Sequence, residues 1–151
     1  MKKFFLFTAT LLLSACVAIP APQPTGTTAL PYLTLAEDNP YAPQPGDTNL
    51  HIAGVTISSI RLIERFDLSP VRVEVDFSGS VPSVCNELRI KVNPPNEKYQ
   101  VFLDIYSLVN SNINCDNVFQ QFETSVLLGL YSPGRFTVWV NGGLVGDFVS
   151  D

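Results

Sequence analysis

The sequence predicts an all-β protein: an antiparallel β-sandwich of about seven strands, preceded by a signal peptide and a Pro-rich disordered tether. Three observations support this prediction. From Leu50 onward, apolar and polar residues alternate as they do in half-buried strands. Clusters of Gly, Pro, Asn, Asp and Ser separate these runs at short intervals. Hydrophobic residues make up 46% of the chain and charged residues only 15%, which suits a packed β protein.

Residues 1–15 have the parts of a bacterial export signal. Lys2 and Lys3 are followed by an apolar run over residues 4–13, which is shorter than the about 20 residues that a membrane span needs. Leu13-Ser14-Ala15-Cys16 then resembles the bacterial lipobox. The resemblance implies that Cys16 receives a diacylglyceryl group, that the chain is cleaved before it, and that the new N-terminus is acylated. An ordinary secreted protein with an incidental Cys16, or a buried apolar helix, is the alternative.

A lipidated Cys16 would place the protein in the cell envelope, anchored to a membrane and facing the periplasm or the exterior. Two or three acyl chains hold a protein stably, where one is marginal. Val17 follows the cysteine, and in a Gram-negative host the absence of aspartate there permits passage to the outer membrane. The mature chain has seven basic and 14 acidic residues, a net charge of −7, so we expect no nucleic-acid partner and no electrostatic attraction to anionic lipid.

Residues 16–49 are predicted to be the lipidated cysteine and a linker, and residues 50–151 the folded domain. Seven prolines between residues 17 and 49 favour extended chain without persistent secondary structure. Tyr32, Leu33 and Leu35 form a small apolar island that we expect to stay solvated rather than to pack on the domain. A flexible coil of this length has a root-mean-square reach on the order of 30 Å.

The predicted strands, A to G in chain order, are residues 55–63, 71–77, 88–92, 99–106, 119–128, 136–140 and 144–149. Strand B has the clearest alternation, and a one-residue slip would bury Arg72, Glu74 and Asp76, so its register is well specified. Between strands F and G, Asn141-Gly142 predicts a type I′ hairpin turn, because that turn needs positive φ at both central residues.

The hairpin at residues 132–142 carries a second resemblance. Its sequence SPGRFTVWVNG resembles the PGxYxVxVNG ending of many bacterial immunoglobulin-like domains, with Phe136 where those usually have tyrosine. Residues 59–148, with their two cysteines, also resemble a group of uncharacterised bacterial lipoprotein domains. The resemblance implies an immunoglobulin-like sandwich and no particular activity.

Cys85 and Cys115 remain as an even pair in an oxidising compartment, which favours a disulfide. They fall in the B–C and D–E connections, which share a pole if strands alternate in direction. Two free thiols or a metal pair are the alternatives, although no CxxC motif or flanking histidine supports a metal. Because strand A starts from the same pole, we expect the tether to join the domain at the disulfide-bearing end.

Residues that could support catalysis are scattered, so we predict no enzyme, no cofactor and no bound metal. His51, the single histidine, lies at the domain edge, and no GxSxG, HExxH or Walker-type motif is present. Glu74 and Asp76 lie about 7 Å apart on the outer face of strand B, as expected for a solvated strand face. Residues 110–116 alternate oxygen-bearing side chains as a calcium loop does, but hold one carboxylate and no central glycine. A polar loop pinned by Cys115 is the preferred interpretation.

Three aromatic side chains fall on faces opposite the predicted core: Phe102, Tyr106 and Trp139. They form a candidate binding patch, or alternatively Trp139 covers a sheet edge or packs under the tether. The leading hypothesis is a lipid-anchored, non-catalytic module that binds or supports a protein at the envelope. A protease inhibitor that presents the B–C, D–E and F–G loops is the second hypothesis. An enzyme built on two carboxylates in one cleft, with raised pKa values, is the third.

Overall fold

The computed structural model describes residues 33–151, which form two packed β-sheets and a short two-stranded ladder. The strands are β1 Leu33–Leu35, β2 His51–Ala53, β3 Thr56–Arg65, β4 Arg72–Val81, β5 Glu87–Val92, β6 Gln100–Val109, β7 Gln120–Leu127, β8 Leu130–Tyr131, β9 Gly134–Val140 and β10 Gly143–Ser150. A 3₁₀ turn spans Pro45–Asn49.

The larger sheet has five strands in the order β10-β9-β6-β2, with β5 paired to the other edge of β6. Strand β6 is long enough to hold two partners on one edge: β9 beside Gln100–Leu103 and β2 beside Ser107–Val109. The β6–β9 pair is parallel, whereas the other pairs of this sheet are antiparallel. The smaller sheet has the antiparallel order β3-β4-β7.

The core lies between the two sheets and is built from the alternating apolar residues. On β4, Val73, Val75 and Phe77 are buried, as the alternation predicted. Opposite them, Phe136 is fully buried and contacts the rings of Tyr131 and Phe148, with centroids 5.0 and 5.4 Å away. The predicted β-sandwich is confirmed, with β6–β9 as the one parallel pair among the described strands. Its seven predicted strands are β3, β4, β5, β6, β7, β9 and β10, within four residues at each end.

The predicted hairpin turn at residues 141–142 is also confirmed. Asn141 and Gly142 have φ of 46° and 84°, as a type I′ turn requires. The Asn141 side chain has a further role that the sequence did not indicate. It accepts a hydrogen bond from the Ile105 amide at 2.7 Å and donates one to the Ile105 carbonyl at 2.9 Å. Through these bonds, the Asn141 side chain continues the hydrogen bonding between the parallel strands β6 and β9 past the last residue of β9.

The prediction of a disordered tether over residues 16–49 is wrong for residues 33–49, which pack on the domain. Strand β1 pairs with β8, Asp38 bridges to Leu127, and the Ile90 amide donates to the Tyr41 carbonyl at 2.9 Å. The segment therefore lies along the free edges of β7 and β5, which belong to different sheets. Those edges offer unpaired backbone groups, and satisfying them outweighs the local preference of the prolines for a linker.

Two arginines fix this segment to the sandwich. Arg72, at the start of β4, donates to the Leu128 carbonyl and to the Ala36 carbonyl, each at 2.8 Å. Arg89 on β5 is only 7% exposed and holds both carboxylate oxygens of Asp47 at 2.9 Å. The chain thus crosses the outer side of β5 before it joins the far edge of β6 as β2.

Candidate functional site

The predicted bridge between Cys85 and Cys115 is present, with a Cα–Cα distance of 6.2 Å. Cys85 lies between β4 and β5, and Cys115 lies between β6 and β7. Since β4 and β7 belong to one sheet and β5 and β6 to the other, the bridge ties both sheets together at one end. We call residues 82–86 and 110–119, the two connections joined by the bridge, the disulfide pole.

Local hydrogen bonds order both connections of the disulfide pole. The Ser83 hydroxyl donates to the Asn86 side chain at 2.7 Å, and the Asn86 amide group donates to the Ser107 hydroxyl at 3.0 Å. In the second connection, the Asn110 side chain accepts from the Asn112 amide, also at 3.0 Å. Asn110, the first residue of the run that resembled a calcium loop, therefore closes its own turn. No cluster of three metal-ligating His, Cys, Asp or Glu residues occurs in residues 33–151.

The disulfide pole also carries apolar side chains that sequence reasoning missed. Phe119, which the alternation assigned to strand E, precedes β7 and is 68% exposed. Val84, Ile113 and Val118 are exposed as well. The available signal was the position of these residues, one to four residues from Cys85 or Cys115 and in or beside the predicted connections. The result is an apolar surface on loops that the disulfide holds in place.

Of the three predicted aromatic residues, the structure brings two together. Phe102 and Trp139 are paired across β6 and β9, with ring centroids 6.1 Å apart, and both are half-buried. The Trp139 indole N–H donates to the Thr137 hydroxyl at 3.1 Å, so its polar group is satisfied within the same strand. This pair lies on the outer face of the five-stranded sheet.

Tyr106 lies apart from that pair, four residues or about 13 Å further along β6. Its cross-strand partner is Arg89, and partial burial raises the pKa of the Tyr106 hydroxyl. Tyr106 thus belongs to the region around the Arg89–Asp47 pair, not to a continuous aromatic patch with Trp139.

The outer face of the three-stranded sheet forms a polar groove of about 310 Å³. Asp76 pairs with Arg61 at 3.2 Å, and Glu74 pairs with Arg65. Hydrogen bonds from Ser125 and Arg65 lower the pKa of Glu74, which is the opposite of what a general acid needs. The two predicted outward carboxylates are thus each neutralised by an arginine of β3.

His51 is exposed on β2 and pairs with Val109.

The chain reaches the described domain at the end opposite the disulfide. Leu33 pairs with Tyr131, which follows β7 at the end where the β3–β4 turn lies. The expectation that the tether joins at the disulfide-bearing end is therefore wrong, because it assumed that the folded chain begins with strand A. Cys16 itself lies outside the described residues.

No known protein family, curated protein or solved structure matches this chain. Within residues 33–151, no helix is long and apolar enough to cross a membrane.

Proposed function

We propose that this protein is a lipid-anchored, non-catalytic binding module of the bacterial cell envelope, and that its disulfide pole contacts a protein partner. The observation that carries the proposal is the arrangement of the two ends of the domain. Leu33 pairs with β8 at one end, and the bridged connections lie at the other. An anchor at Cys16 would hold the first end near the membrane and leave the disulfide pole facing outward.

The disulfide pole has the features that a protein-binding surface needs. The ten residues of β6 span about 30 Å, so the pole would stand well clear of the headgroups. Loops fixed by a disulfide lose little conformational entropy when they bind. Phe119 gives exposed aromatic area of the kind enriched at the core of protein interfaces.

The protease-inhibitor hypothesis needs the B–C, D–E and F–G loops to act together. The F–G turn, Asn141-Gly142, ends level with Ile105, four residues before the end of β6. Of these three loops, only the two bridged connections extend to the pole, which favours a broader protein contact over insertion of three loops into a protease cleft. A panel of envelope and secreted proteases would show inhibition if the alternative is correct.

Two measurements test the proposal. Mass spectrometry of the mature protein should find an acylated N-terminal Cys16, and an unmodified cysteine there would refute the anchoring. Cross-linking in envelopes should identify a partner whose yield falls in Phe119→Ser but not in Leu144→Ser, an exposed apolar residue of β10 outside the disulfide pole. If Phe119 is central to the contact, its truncation should cost more than about 2 kcal/mol, or over tenfold in affinity. Equal yields from both variants would refute the assignment of the disulfide pole.

A further inference from the structure

The end of the sandwich opposite the disulfide exposes a second apolar surface. Phe66 is 74% exposed at the tip of the β3–β4 turn, and Val149, near the end of β10, is 58% exposed. Val71, which the alternation assigned to the core face, is instead 46% exposed. These three side chains line one cavity of about 460 Å³ together with Leu68 and Leu130. Its residues come from both sheets, and we call this surface the Phe66 pole.

The turn that carries Phe66 is held by its neighbours. Arg65 donates two hydrogen bonds to Asp67, at 2.8 and 2.7 Å, and a third to Glu74. The Leu68 amide donates to the Arg65 carbonyl at 3.2 Å. Because both Asp67 and Glu74 pair with Arg65, the charge of Arg65 is neutralised, and the adjacent Phe66 is exposed at a turn that these bonds hold.

The position of the preceding chain indicates what covers this pole. Strand β1 pairs with β8, and Leu130 of β8 lines the cavity. Sixteen residues separate Cys16 from Leu33. As the flexible coil that the sequence predicts, they have a reach of about 20–24 Å. A lipid on Cys16 therefore keeps the Phe66 pole, and not the disulfide pole, at high effective concentration beside the bilayer.

We propose that the Phe66 pole rests in the headgroup region of the membrane that carries the lipid anchor, with Phe66 as the inserted side chain. This inference rests on the proposed lipid anchoring. Apolar side chains at such interfaces sit about 5–10 Å deep, at the boundary between headgroups and acyl chains. Glu64 and Asp151 line the same cavity, and neither forms an ion pair within residues 33–151. Their charge favours a zwitterionic headgroup over an anionic one.

Insertion of this pole would give the anchored domain a fixed orientation. The acyl chains alone restrain distance, because a flexible tether lets the domain rotate. A second contact at Phe66 restrains direction, and it points the disulfide pole away from the bilayer.

The test uses tryptophan fluorescence in the full-length acylated protein. Trp139 is the only tryptophan, so the W139F background is dark and F66W or F119W adds a single probe at either pole. In phosphatidylethanolamine-rich vesicles with brominated acyl chains, F66W should be quenched several-fold more than F119W and its emission should shift to shorter wavelength. Replacing the lipid with phosphatidylglycerol should weaken the quenching. Equal quenching at both positions, or none at F66W, would overturn the proposal.

Two controls separate the possible failures. Mass spectrometry of the same sample reports Cys16 acylation, so an acylated protein with unquenched F66W refutes only the Phe66-pole contact, whereas an unacylated Cys16 refutes the proposed function. Hydrogen exchange of the unsubstituted acylated protein avoids any effect of the substitutions on folding. When the protein is bound to vesicles, the amides of residues 66–71 should exchange more slowly than in the same protein without vesicles, and the exchange of residues 113–119 should be unchanged. Unchanged exchange at both poles would contradict the inference.

Discussion

Replacing both bridged cysteines, Cys85→Ser with Cys115→Ser, should destabilise the domain strongly. The cysteines are 30 residues apart, and closing a loop of that length removes about 3–4 kcal/mol of entropy from the unfolded chain. The folded state loses little contact area, since both side chains are only partly buried. For a domain of this size, about 1 kcal/mol corresponds to roughly 4 °C, so the expected fall in Tm is about 12–16 °C.

Thermal unfolding followed by circular dichroism measures this effect on three samples: the oxidised protein, the reduced protein and the double variant. The reduced protein and the variant should melt together, and adding reductant to the variant should change nothing. A variant that melts within about 2 °C of the oxidised protein would refute the reasoning, because the bridge would then not restrict the unfolded chain.

The remaining predictions concern single side chains. In Gly129→Ala the new Cβ would clash with the Leu35 carbonyl oxygen, a backbone atom of β1 that no side-chain rotation can move, so β1 should detach and residues 33–38 should become sensitive to protease while the core stays folded. Hydrogen bonds from Arg89 lower the pKa of Asp47 in the folded protein, so this pair should stabilise the domain above about pH 4 and lose its effect as the pH falls further. The free energy of unfolding in urea should show this pH dependence in the unsubstituted protein and lack it in Asp47→Asn. Asn141→Ala removes two side-chain hydrogen bonds and places alanine at a positive φ, so the free energy of unfolding in urea should fall by about 2–4 kcal/mol. The same substitution at the exposed Asn112 should change it little.

Features set by local pattern were predictable from the sequence. The alternation in β4 has only one register that buries Val73, Val75 and Phe77 and leaves its charges outside. Asn141-Gly142 tolerates the positive φ that few other residue pairs accept. The disulfide followed from strand order, because antiparallel strands bring alternate connections to the same end.

Features set by contacts distant in sequence were not predictable. Nothing in the local composition around Asn39 shows that its side chain donates to the Ile90 carbonyl, 51 residues away, at 2.6 Å. Likewise, the alternation predicts that the charged side chain of Arg89 faces solvent, whereas its pairing with Asp47 allows it to be buried. Val71 and Phe119 were misassigned because alternation continues past the point where the opposite sheet ends, and no core remains there to receive them.

The ordering of residues 33–49 reverses the orientation that the sequence alone indicated. In a protein anchored at Cys16, a tether ending at Leu50 would put the disulfide pole nearest the membrane. With the chain fixed from Leu33, the same anchor would put the disulfide pole furthest away. If residues 17–32 are the flexible linker that the sequence predicts, its length is 16 residues instead of 33, and its expected reach is about 20–24 Å instead of on the order of 30 Å. Breaking the Arg89–Asp47 pair would therefore act on orientation as well as stability. In the proposed lipid-anchored state, detachment of the segment would lengthen the linker, release the Phe66 pole from the bilayer and allow the disulfide pole to turn toward the membrane.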